Sequence, residues 1–179
     1  MRKWNAVLSL AALVLLLIHG ILGSFLLTGA GSTALKPLAR AALALIAVHG
    51  VLGVRYTIDS IMVWKKNGVG YFRENRLFWT RRISGFALLV FLLFHLTAFR
   101  AAAGEVYRLQ WFTGAKLACQ LLLVTSLAVH ILTNLRPLTM SLGLRGGLKW
   151  LGDALFVLSV VLLFAAAAFV IYYLRWNLW

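Results

Sequence analysis

The chain of 179 residues is 63% hydrophobic, with a mean hydropathy of +0.92, and carries 18 basic against 4 acidic side chains, a net charge of +14. A soluble domain of this length has too little interior to hide that apolar surface, so lipid is the expected solvent and a single membrane domain the expected organisation. The positive charge does not mark a nucleic-acid binder, because the bases lie between apolar runs rather than on one polar face.

Five apolar runs reach the length of about 20 residues that a membrane-spanning helix requires. The first extends from Trp4 to Leu27. Its opening, with Arg2 and Lys3 before Ala6 to Ile18, imitates a secretory signal, and Ser32-Thr33-Ala34 imitates a cleavage site. His19 inside the run argues for a retained first helix, since a discarded peptide has no use for it. The second run covers Leu38 to Trp64, the third Ile83 to Phe99, the fourth Leu117 to Leu135 and the fifth Leu148 to Leu174. Short connections rich in Gly, Pro and charge separate them, among them Gly29 to Pro37 and Asn67 to Arg82. The fold class expected is therefore an all-α integral membrane bundle of five helices.

Basic residues orient the bundle. Arg2, Lys3, Lys65, Lys66, Arg73, Arg76, Arg81, Arg82, Arg136, Arg145 and Lys149 fall on one side. Only Lys36, Arg40, Arg100, Arg108, Lys116 and Arg175 fall on the other. The richer side is expected to be cytoplasmic, which puts the N-terminus inside and the C-terminus outside a bacterial or archaeal cytoplasmic membrane. All the tryptophans, from Trp4 to Trp179, lie near run ends, as an interfacial belt requires.

Each of the first four runs holds one histidine: His19, His49, His95 and His130. An ionisable side chain inside a bilayer is costly, and four on four successive helices point to ligation rather than to isolated polar residues. No cysteine or carboxylate cluster accompanies them to complete a zinc or di-iron site. The lone Cys119 excludes covalent haem attachment, an intrachain disulfide and an iron–sulfur site. Two imidazoles can clamp one haem b axially, so four would serve two haems.

Depth along antiparallel runs pairs His19 with His95 towards the outside, and His49 with His130 towards the cytoplasm. The echo His19-Gly20-Ile21-Leu22-Gly23 and His49-Gly50-Val51-Leu52-Gly53 puts a glycine one turn beyond each histidine. Such a glycine suits either a flat macrocycle or close helix packing. Arg55 and Arg136 each follow a histidine by six residues, about 9 Å nearer the cytoplasm, where they could meet haem propionates. Arg55 could instead pair with Asp59 at i+4.

Arg82-Ile83-Ser84-Gly85, running into His95, resembles the Arg-x-Ser-Gly helix opening of the cytochrome b subunits of succinate dehydrogenases and fumarate reductases. His49-x-x-x-Gly53-x-Arg55-x-x-x-Asp59 resembles the second signature of that family. The five helices with histidines on the first four resemble its di-haem, single-subunit anchors over nearly the whole chain.

The resemblance implies two b haems, held by the first and third helices and by the second and fourth, with Arg82 a further propionate candidate. It also implies flavoprotein and iron–sulfur subunits docked on the cytoplasmic side near Lys65 to Arg82, and electron exchange with a quinone, menaquinone being expected. The dicarboxylate chemistry would belong to another chain. For quinone, Glu105 with Arg100 nearby is one candidate site, although Glu105 could be an ordinary loop residue. A cytoplasmic-side pocket near Ser84 and Arg82 is the other. A cytochrome b serving a formate dehydrogenase or hydrogenase shares the same haem logic. A haem-free transporter would instead gather its histidines at one depth.

Overall fold

The computed structural model describes residues 2–30, 35–68, 76–99, 111–144 and 149–178. Among them are five helices: α1 (Arg2–Thr28), α2 (Leu35–Asn67), α3 (Arg76–Ala98), α4 (Gly114–Ser141) and α5 (Lys149–Asn177). All five are long and apolar enough to cross a membrane, and only 6–17% of the residues in each span are buried in the protein, so the remaining apolar surface needs lipid. Trp4, Trp111 and Trp150 are at or just outside helix ends and are exposed, as an interfacial belt requires.

The helices outrun the apolar stretches that predict them. Hydropathy marks where the lipid ends, whereas a helix continues as long as its backbone is satisfied. Arg76 to Arg82, expected in a connection, form the first two turns of α3, and Lys65 to Asn67 form the last turn of α2. Residues 69–75 of that basic connection lie outside the described residues.

The fourth helix passes through Pro137, which has no N–H to give the carbonyl of Thr133. Arg81 supplies the missing donor: its Nε–H reaches the Thr133 carbonyl at 2.8 Å. An α3 side chain thus completes α4 where the proline interrupts it. Glycine closes three of the helices: Gly68 (φ 63°) ends α2, its amide returning to Trp64, and the other two share a fuller cap. Gly29 (φ 90°) and Gly143 (φ 81°) adopt the left-handed conformation. The amides of Gly29 and Ala30 return to Leu26 and Phe25, and those of Gly143 and Leu144 to Met140 and Thr139, the paired bonds of a Schellman cap.

Side-chain contacts give the helix directions. Ser84 and His95 of α3 meet His130 and Gln120 of α4, so these two helices are antiparallel. Phe25 stacks edge-on against Phe164, and α1 therefore runs parallel to α5. α3 packs against α4 most extensively, α1 lies between α2 and α5, and α5 also covers α4. The α2–α3 and α1–α4 contacts are lighter and close the ring. In this four-helix ring α1 faces α3 and α2 faces α4 across the diagonals, with α5 on the outside.

Candidate functional site

Histidine side chains fill both diagonals. The ring centroids of His19 on α1 and His95 on α3 are 6.2 Å apart, and those of His49 on α2 and His130 on α4 are 6.3 Å apart. The ring planes are nearly perpendicular, at 82° and 78°. This is the partnering that depth along the chain predicts. Among the described residues no group of three or more His, Cys, Asp or Glu side chains gathers into a metal cluster. The histidines form two pairs at two levels.

Three helices measure the separation of those levels. On α1, Ser9 touches His49 and is ten residues from His19. On α4, Gln120 touches His95 and is ten residues from His130. On α3, Ser84 touches His130 and is eleven residues from His95. At 1.5 Å per residue the levels are about 15 Å apart.

The hydrogen bonds suit one tautomer of three rings. Ser9 Oγ donates its only proton to the Asn5 carbonyl at 2.7 Å, so towards His49 Nδ1, 3.2 Å away, it can only accept. Ser84 Oγ donates to the Arg81 carbonyl and accepts from His130 Nδ1, 3.2 Å away. Gln120 Oε1, an acceptor by nature, lies 2.7 Å from His95 Nδ1. With the proton on Nδ1, each of these imidazoles keeps the Nε2 lone pair for a ligand, the arrangement that orients metal-binding histidines. His19 is the exception, with a buried Nδ1 that has no partner among the described residues.

A haem fits this geometry. Two imidazoles that would hold one iron between them, each at a bond of about 2.0–2.1 Å plus roughly 1.1 Å from nitrogen to ring centre, would have centroids about 6.2–6.4 Å apart. Glycines on α1 and α2 also leave open space. A Cβ at Gly20, Gly23 or Gly53 would meet nothing within 4 Å, so no neighbouring helix uses the space they open. Close helix packing does not account for those three. Gly85 is different, because a Cβ there would sit 3.3 Å from Cε1 of His130, and the ring lies directly against the α3 backbone.

Of the arginines singled out in the sequence, Arg82 turns into the bundle. Its Nη1 donates to the Gly53 carbonyl at 3.1 Å and its guanidinium lies 4.8 Å from the centre of the Phe78 ring. Gly53 is one turn from His49, so Arg82 brings a cation to the His49–His130 level. Arg55 and Arg136 are exposed. Six residues along a helix also rotate the side chain to about 120° from the histidine. Glu105 and Arg100 lie outside the described residues. Cys119 is half-buried on α4.

Ser9, Gln120 and Arg81 were not anticipated. Gln120 left a signal, being an amide in an otherwise apolar stretch of α4. The Arg81 signal was Pro137, which announces an orphaned carbonyl one turn earlier. No family model, no protein of established function and no solved structure shows significant similarity to this chain.

Proposed function

We propose that this chain is a di-haem cytochrome b that carries electrons through the membrane. The observation that carries the reading is the pair of interhelical histidine couples, with centroids 6.2 and 6.3 Å apart. His19 with His95 would hold one haem b and His49 with His130 the other. When bound, each haem supplies a one-electron carrier of tunable potential. The chain's own side chains orient the imidazoles through Ser9, Ser84 and Gln120, leave flat space at Gly23 and Gly53, and offer Arg82 to a propionate.

The complex served is proposed to be a succinate:quinone oxidoreductase, with this chain as the anchor for flavoprotein and iron–sulfur subunits and as the site of quinone exchange. The support lies in the two motifs, which meet at one level. Arg82 donates to Gly53, Ser84 accepts from His130, and Gly85 leaves room for the same ring. Each residue that makes Arg-x-Ser-Gly distinctive thus has a physical task beside the His49–His130 couple.

A pyridine haemochrome assay on the intact complex tests the central claim. Two b haems per chain are expected, and zero or one would end it. Co-purification of flavin and iron–sulfur subunits tests the choice of complex.

A further inference from the structure

On the di-haem reading, the two iron sites differ in how their ligands are supported. At the His49–His130 level both rings have a hydroxyl acceptor. At the other level only His95 has an acceptor, the Gln120 amide, because among the described residues His19 Nδ1 is buried without a partner. We infer that Gln120 is the positioning residue that sets the redox potential of the His19–His95 haem.

Gln120 is fully buried, and its amide oxygen is the shortest hydrogen-bond partner of any of the four rings, at 2.7 Å against 3.2 Å for each serine. A buried amide is costly in an apolar bundle. Here the cost is compounded, since Gln120 Nε2 has no partner among the described residues. Packing alone would favour an apolar residue at this position, so the oxygen is the part with a task. Accepting from Nδ1–H makes the opposite nitrogen of His95 more basic, and a more basic axial ligand stabilises ferric over ferrous iron. With nothing on His19 to share the effect, one amide controls the potential of that site.

Gln120→Met tests this with little change in volume, removing the acceptor together with the orphaned donor. Gln120→Glu keeps an acceptor oxygen. Both are read by spectroelectrochemical titration of the two b components in the intact complex, and His95→Ala identifies which component belongs to this level. The expected result for Gln120→Met is a rise in the potential of that component, a shift of about tenfold in its oxidised-to-reduced ratio, which is about 59 mV for one electron. The other component should stay in place, and Gln120→Glu should sit at or below the wild-type value.

Unmoved potentials in Gln120→Met, a shift confined to the His49–His130 component, or a rise in Gln120→Glu would each overturn the assignment while leaving the di-haem reading intact. Loss of the haem from both variants would overturn it as well, because an acceptor at position 120 would then not be what the site requires. Wild-type protein without haem would remove the reading beneath it.

Discussion

At the level of His49 and His130 the polar partners are serine hydroxyls, each tied to a carbonyl of its own helix, and Arg81 and Arg82 reach across to α4 and α2. At the level of His19 and His95 there is one amide, and the surroundings are aromatic. Phe99 lies 5.1 Å and Phe169 6.3 Å from the His95 ring, and both belong to a cluster with Phe112 and Tyr172. The two histidine couples are thus held once by a polar, cationic surround and once by an aromatic one. In membrane bundles polar contacts are strong where their alternative is hydrocarbon, yet they average only about 0.6 kcal/mol when measured. The aromatic level depends more on shape, and the serine level more on several small bonds acting together.

The largest effect that distinguishes the two levels is removal of a ligand. His19→Ala and His95→Ala are expected to abolish the same spectral and redox component. His49→Ala and His130→Ala should abolish the other. If His19→Ala and His95→Ala removed different components, the diagonal pairing would fail. A second-order difference is also expected. Losing His130 should disturb α3 as well, because Ser84 and Gly85 both rest against its ring, whereas losing His19 deprives no neighbour of a hydrogen bond.

The pairing was legible in the sequence because helical rise is linear: counting residues along antiparallel apolar runs gives depth, and depth matches partners. The five spans were legible for the same reason that hydropathy works in lipid. The helix ends were not, since Arg76 to Arg82 stop an apolar run without stopping a helix. That Arg81 would satisfy the carbonyl freed by Pro137 depends on two helices meeting, which neither segment reveals alone. The exposure of Arg55 was more accessible, because six residues at 100° each already turn it away from His49. Gln120 and Ser9 resemble ordinary polar residues in a helix until the partner ring is in view.

Glycine substitutions give the next largest effect and test why space is left open. Gly23→Leu adds a side chain where nothing lies within 4 Å. The bundle should therefore fold with unchanged helix content, while haem at the His19–His95 level is lost or much reduced. Gly85→Val acts at the other level by displacing His130, whose Cε1 would be 3.3 Å from the new Cβ. Only the His49–His130 component should disappear. Retention of both haems in Gly23→Leu would show that the open face serves something other than a macrocycle.

The serines give the smallest effect, and comparing them sharpens the contrast between a buried and an accessible bond. Ser84 is only 5% exposed, and Ser9 is more accessible. Ser84→Ala removes the buried hydroxyl that meets His130 Nδ1, and about a tenfold loss of haem affinity is expected, the lower end of what orienting partners of metal ligands contribute. Ser9→Ala removes the equivalent bond to His49, made by the more accessible of the two serines. A cost near 0.6 kcal/mol, roughly threefold in affinity, is expected there. Haem retention by each variant under graded detergent challenge measures the order. Both variants should keep the His19–His95 component unchanged, since its ligands and their partner Gln120 are about 15 Å away along the helices. An equal loss in the two variants would mean that burial does not decide the strength of these bonds. Loss of the His19–His95 component instead would mean that the serines stabilise the bundle as a whole rather than one ligand ring.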